Sequence, residues 1–310
     1  MSDVADTADD GRRWKALAVL LVGACIIGLS PILVRLTEAG PAAAGFWRLL
    51  LAAPLLALMS HRGGGVGRPS RMALLAGVFF ALDLGFWHYG IHYTSVANAT
   101  VLSNLTPVVV TAFAWIFLKQ RPTALFLVAV AAAIGGAGLM VLDKGGGGLK
   151  NQPLGDVFSM MTALWYALYF LAMAEGRRTE SASRLMFWVS IVGAPILLVT
   201  ALMLGERILP TSALGLGALV GLGVMHATGQ GAIAWAMGRL PTPTASVVVL
   251  IQPVVAAYLG WLLFSERIGP LQALGAVVTL CGVVLAQWAS RKPKAGSATV
   301  EPGDGQGSTR

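Results

Sequence analysis

Charge is scarce in this chain. Only 12% of its 310 residues are Asp, Glu, Lys or Arg, about half of the roughly 25% usual in soluble domains. That excludes the ordinary soluble globular class. Cysteine is nearly missing as well. Cys25 and Cys281 both fall inside apolar runs, so there is no disulfide framework and no paired-thiol redox motif. The chain holds no Gly-rich phosphate loop, no C-x-x-C or H-E-x-x-H metal pattern and no G-x-S-x-G elbow. An enzyme of the membrane face would need a nucleophile, a metal or an acid–base cluster there, and none is visible. A scaffold would need a sizeable partner-binding soluble segment, and the polar stretches are short. The chain is expected to be no enzyme and to use no cofactor, metal or nucleic acid.

What the chain has is apolar length: 56% of its residues are hydrophobic and the mean hydropathy is +0.74. A helix needs about 20 apolar residues to cross the hydrocarbon core. On that rule ten spans are expected, at roughly 15–36, 41–60, 70–92, 96–119, 122–142, 154–175, 184–205, 211–238, 241–264 and 269–290. The divisions at Thr94–Ser95 and near Pro241 and Pro243 rest only on turn-forming residues within long apolar stretches. Segments 1–13 and 291–310 are polar and expected to be disordered. Segment 143–153 (DKGGGGLKNQP) reads as a flexible linker.

Two stretches repeat. Residues 85–122 (GFWHYGIHYTSVANATVLSNLTPVVVTAFAWIFLKQRP) slide onto the region 231–270 with an offset of 146 and no gap. Pro107 then falls on Pro253, Arg121 on Arg267, Gly77 on Gly223, Gly85 on Gly231 and Gly136 on Gly282. The chain thus divides into halves at 14–142 and 154–290, each with five spans. An odd number of spans per half inserts the two halves in opposite directions, the inverted-repeat plan of secondary transporters. With the N-terminus in the cytoplasm, fifteen lysines and arginines from Arg12 to Lys294 collect on that side. Five (Arg35, Lys144, Lys150, Arg207 and Arg267) collect on the other. That is the positive-inside pattern, with both termini cytoplasmic. The +8 net charge therefore fits topology and not nucleic-acid binding.

Polar groups within a bilayer are costly and ask for a reason. The third span is densest, with Asp83, Trp87, His88, Tyr89, His92 and Tyr93. Asp83 and Trp87, four apart, share a helix face. Asp83 and His88 are the groups a proton-coupled mechanism would use. In the second half His226 and Gln230 share a face among glycines, and Trp165 and Tyr169 form one side of another helix. Asn98, Thr100, Ser103, Asn104 and Thr106 make a polar seam ending at Pro107, with Gln252 in the equivalent place before Pro253. For each of these a structural role, as a helix–helix hydrogen bond or buried core, stands beside contact with a ligand. Arg48 is expected to be buried, with a structural or gating role, and Arg35 to snorkel from the end of the first span. Pro31, Pro107, Pro195 and Pro253 are expected bending points.

The quoted pieces resemble the EamA family of the drug/metabolite transporter superfamily. They are Asn104-Leu105-Thr106-Pro107 with Leu118-Lys119-Gln120-Arg121-Pro122, and Ile251-Gln252-Pro253 with Phe264-Ser265-Glu266-Arg267. Phe46-Trp47-Arg48 is similar to the family's arginine-bearing second span. Glu266 stands where the family has glutamate, and Gln120 departs from it. The aromatic third span is similar to YddG-type amino-acid exporters. The resemblance implies an all-α membrane protein of ten helices. Spans 1–4 and 6–9 would surround a central cavity, and spans 5 and 10 would lie outside it. It implies alternating access and export of amino acids, large apolar or aromatic ones above all, across a bacterial inner membrane. A multidrug or organic-cation exporter of the same fold is the alternative. The expected partners are the bilayer and a small-molecule substrate, with the chain a monomer or a homodimer.

Overall fold

The structure, a computed structural model, describes residues 2–61, 64–106, 109, 123–142, 151–177, 179–237, 239, 248–249, 251–266 and 268–289. Every regular element among them is helical. They are α1 (Ser2–Gly28), α2 (Ser30–Leu36), α3 (Pro41–His61), α4 (Arg71–Tyr93), α5 (Val96–Ser103), α6 (Ala124–Leu142), α7 (Gln152–Gly176), α8 (Ala182–Met203), α9 (Ala213–Met225), a π-helical turn (His226–Gln230), α10 (Gly231–Met237), α11 (Ile251–Phe264) and α12 (Pro270–Ala289). Pro107, Gln120, Arg121, Pro122, Pro241, Pro243, Arg267, most of the glycine linker and the tail lie outside the described residues.

Among the described residues, six stretches are long and apolar enough to cross a membrane: Trp14–Leu36, Pro41–His61, Arg71–Tyr93, Gln152–Met173, Ala182–Met203 and Ala213–Ile233. Three shorter apolar helices, Ala124–Met140, Ile251–Phe264 and Pro270–Ala286, correspond to the expected fifth, ninth and tenth spans. The expected fourth span is described only as far as Thr106 and at Val109. α1 reaches back to Ser2, into the polar head that the composition reads as disordered.

Side-chain oxygens set where several helices start. Ser70, Ser95, Ser181 and Ser212 each accept a backbone N–H from three residues on, which satisfies a donor the first turn leaves open. The Ser95 cap places a helix break at the Thr94–Ser95 division. Two expected spans are interrupted. The first breaks at Leu29, just ahead of Pro31 near the start of α2. The eighth carries the π-helical turn at His226–Gln230. Pro195, by contrast, lies inside a continuous α8.

Between apolar helices in lipid there is little hydrophobic drive, so association depends on close packing of small residues. α3 packs on α8, and α4 on both α7 and α8. α9 packs on α3, and α1 on α10 and α11. α6 and α12 pack chiefly on each other. A methyl on Gly136 would stand 2.6 Å from the Thr279 backbone nitrogen and 2.7 Å from the Gly275 carbonyl oxygen. A methyl on Gly282 would stand 2.6 Å from the Ala133 nitrogen and 2.8 Å from the Ala129 carbonyl. These contacts are reciprocal. Subtracting the repeat offset of 146 turns the pair 275 and 279 into 129 and 133.

Candidate functional site

Arg48, from the middle of α3, is buried to 3% exposure. Its Nη1 donates to the Ser30 hydroxyl at 3.0 Å, across the break between α1 and α2. Its guanidinium lies 5.6 Å from the centre of the Trp87 ring, a distance at which the ring face attracts a cation. Asp83, Tyr166 and Tyr169 are within electrostatic reach of it, and so are the imidazoles of His88 and His226. Phe80 joins the two halves of this group, with ring centres 4.6 Å from Tyr169 and 5.4 Å from His226.

The local sequence explains the convergence. Phe80, Asp83 and Trp87 recur every three or four residues along α4, on the face turned toward α3. Gly45 in α3 lies against Leu197 and His88: a methyl there would stand 2.9 Å from the Leu197 Cδ1 and 3.4 Å from the His88 Nδ1. Nδ1–H of His88 donates to the Pro41 carbonyl at 2.9 Å, which fixes the tautomer and leaves Nε2 as an acceptor. The π-helical turn inserts an extra residue into the helix that carries His226, a device often found at functional sites.

Several polar side-chain atoms of the bundle are buried without a hydrogen-bond partner among the described residues. They include Nε of Arg48, Nε2 of His88, both ring nitrogens of His226, Nε1 of Trp165 and the Ser190 hydroxyl. Each such group costs about 1–3 kcal/mol. Those of Arg48, His88 and His226 lie together, next to a carboxylate and several aromatic rings.

Asp83, Trp87, His88, Tyr169 and His226 therefore come together around Arg48. Trp165 instead packs 6.1 Å from Phe86, in a second aromatic group with Phe158, Tyr89 and Tyr93. The amide of Asn104 donates to the Thr100 carbonyl at 2.7 Å, one turn back on its own chain. Gln230 ends the π-helical turn, half-buried. Gln252 is half-buried in the first turn of α11, where its carbonyl lies against Gly28. Pro253 is buried one residue later.

Three acids tie together one face of the bundle, and two of them, Glu206 and Asp156, are missing from the sequence expectations. Glu206, beyond α8, accepts from the Ala42 and Ala43 amides at 3.3 and 2.9 Å and from the Tyr89 hydroxyl, so its charge sits on the N-terminus of α3. Glu266, placed by resemblance only, caps α5 through the Val96 amide at 3.1 Å and pairs with Arg35. Arg35 also donates to the Ile91 and Thr94 carbonyls at 3.0 and 2.6 Å; it is bound inward and does not snorkel. Asp156, fully buried in α7, accepts from Thr94 at 2.6 Å and Asn98 at 3.0 Å. The signal for Glu206 was the Gly205 before it, whose φ of 63° marks a tight turn behind a helix end.

The opposite face is open. A cleft of about 540 Å³ lies between the end of α3, the end of α7, the start of α8 and α10, and Arg177 and Arg239 are among the residues lining it. Leu56 and Met186, which line it, belong to an apolar cluster with Ala52 and Ala227, packed by Met173 and Phe187. Along α3, Ala52 and Leu56 stand between Arg48 and the cleft-lining Met59.

A model of the EamA-like transporter family matches residues 14–142 and again 153–288. The chain belongs to the EamA-like transporter family. A model of Solute carrier family 35 also matches, over residues 87–211. An uncharacterized transporter of Archaeoglobus fulgidus is 27% identical over 87% of this chain and 95% of its own length. The pseudopaline exporter CntI of Pseudomonas aeruginosa is 25% identical over 77% of this chain and 83% of its own. A solved crystal structure superposes with a TM-score of 0.60 at 13% identity, covering 88% of this chain and 96% of that one, a likeness of fold. The EamA-like family, with relatives named as transporters, makes this chain a multi-pass membrane transporter.

Proposed function

We propose that this transporter carries small amphipathic zwitterions, amino acids with large apolar or aromatic side chains in the first place, by alternating access at the Arg48 group. The observation that carries the reading is the composition of that group. A buried guanidinium offers a carboxylate a charge-assisted partner, Asp83 offers an ammonium group one, and Trp87, Phe80 and Tyr169 offer the apolar part a surface. An organic-cation exporter would place its one fixed cation elsewhere, so Arg48 weighs against that alternative.

In this reading the halves are inverted repeats, both termini are cytoplasmic, and the chain sits in a bacterial inner membrane. The reciprocal glycine contacts of α6 and α12 support the repeat, since a two-fold relation pairs residue i with j and the equivalent of j with that of i. The arginine-rich side supports the orientation. The exporter among the relatives supports outward movement. The break at Leu29–Pro31 and the π-helical turn lie beside the site, where helices must flex if the halves rock. Counterflow of radiolabelled phenylalanine in proteoliposomes tests the reading. Accumulation against preloaded unlabelled amino acid is expected, and its absence across a panel of apolar and aromatic amino acids overturns the substrate assignment.

A further inference from the structure

The cleft on the arginine face differs in chemistry from the Arg48 group. Arg177 and Arg239 line it, together with Ser183, Trp235, Met59 and Met186, and among the described residues no carboxylate does. The Arg239 guanidinium lies 3.8 Å from the centre of the Trp235 ring and donates to the Trp235 carbonyl at 2.9 Å. The indole is thereby held flat against a cation, with a partly exposed ring surface. Ser183 lies in the first turn of α8, a 22-residue helix capped by Ser181, whose N-terminal dipole adds to the positive potential. Glu180, the nearest acid in sequence to that turn, is paired with Arg184 at 3.0 Å.

The volume, about 540 Å³, is in the usual range for a small-molecule pocket. Arginines on this face satisfy the positive-inside pattern wherever they point. These two, however, share one concave pocket with an aromatic ring and two methionines. That is a cationic end and an apolar end within one cavity. Its wall at Leu56 and Met186 is part of an apolar cluster with Ala52 and Ala227, and Ala52 stands one turn from Arg48 on α3.

We propose that this cleft is a loading site for small organic anions with an apolar or aromatic body, held by Arg177 and Arg239 at the charged end and by Trp235, Met59 and Met186 at the other. It rests on the transport reading, in that a ligand captured here is one step from the central group. The chemistry predicts an order. A carboxylate gains from two guanidinium groups, whereas an ammonium group meets no acid and is repelled. 3-Phenylpropanoate therefore binds more tightly than phenylalanine, and phenylalanine more tightly than phenethylamine.

The test is calorimetric titration of the full chain, in nanodiscs of phosphatidylcholine, with 3-phenylpropanoate and with its neutral amide. The acid is expected to bind at least tenfold more tightly than the amide. Arg177→Gln with Arg239→Gln should remove that preference, and Arg177→Lys with Arg239→Lys should restore part of it. Equal binding of acid and amide, or wild-type affinity in the double glutamine variant, overturns the proposal. An anionic lipid headgroup shares the same chemistry, so a second arm adds phosphatidylglycerol to the nanodiscs. Unchanged affinity for the acid supports a soluble ligand, and competitive loss of it assigns the cleft to lipid and overturns the loading role. Counterflow of phenylalanine in the double glutamine variant separates this claim from the transport reading. Weakened but measurable counterflow is expected there. Counterflow at the wild-type rate removes the loading role and leaves the transporter, whereas failure of the wild type itself removes the transport reading.

Discussion

Arg35 and Glu266 meet across the bundle, one from α2 and the other just past α11, in a half-buried ion pair. The carboxylate also holds the first amide of α5, and the guanidinium also holds the last carbonyls of α4 and its turn. The pair is a clasp that ties three chain turns on one face of the molecule.

Breaking one side of the clasp leaves a charge with no counterpart in a poorly solvated place. Arg35→Gln or Glu266→Gln alone is expected to lower stability by about 2–4 kcal/mol. The double variant should lose less than the sum, because its partners are both neutral. Thermal melts in detergent of the four proteins measure the coupling. Additive losses would show that the two side chains do not act together.

Glu38 gives the pH dependence. It lies between α2 and α3, and hydrogen bonds from Ser212 and Thr211 hold its pKa down at about 2, against an ordinary 4.5. A carboxylate with a depressed folded pKa adds stability above its unfolded pKa, and that stability is lost as pH falls through the folded value. The melting temperature of wild type should exceed that of Glu38→Gln at pH 6. The difference should shrink from pH 4.5 downward and vanish near pH 2. A difference that stays constant over that window would contradict the assignment.

Gly136 and Gly282 stand in equivalent places of the two halves and meet equivalent backbone atoms. Alanine at either position would press on main chain and not on a yielding side-chain tip. Gly136→Ala and Gly282→Ala should each cost about 1–3 kcal/mol, by forcing α6 and α12 apart. The two losses should be alike, and a melt in which only one variant is weakened would deny the reciprocal contact.

Asp156 ties α7 to the turn after α4. Its Oδ1 accepts from Thr94 and Asn98, and Asn98 in turn accepts from Gln272 of α12 at 2.8 Å. Asp156→Ala strands two donors, and a loss of about 2–4 kcal/mol is expected. Asp156→Asn keeps an acceptor and should lose less, which a melt of both variants resolves.

Hydropathy made the spans legible, because length and apolarity are local properties. The break at Thr94–Ser95 was legible because the Ser95 cap is three residues long. The site was legible in part. Asp83, Trp87 and His88 announce themselves as polar or aromatic residues on one helix. Their meeting with Arg48 depends on how α3 and α4 pack, and Ser30 is a partner 18 residues away. For Asn104 a ligand contact and a structural hydrogen bond were both open; its amide donates to the Thr100 carbonyl one turn back, a bond that leaves no trace in composition. Glu206 was passed over because an acid between spans usually faces water, whereas this one neutralises a helix end 164 residues earlier. The π-helical turn had no signature beyond the glycines around His226.

Phenylalanine counterflow in proteoliposomes bearing Arg48→Gln is the most direct test of the central site. Loss of at least a hundredfold in rate is expected, with partial recovery in Arg48→Lys and with both variants folded by their melts. A folded Arg48→Gln protein that exchanges phenylalanine at the wild-type rate would contradict the account.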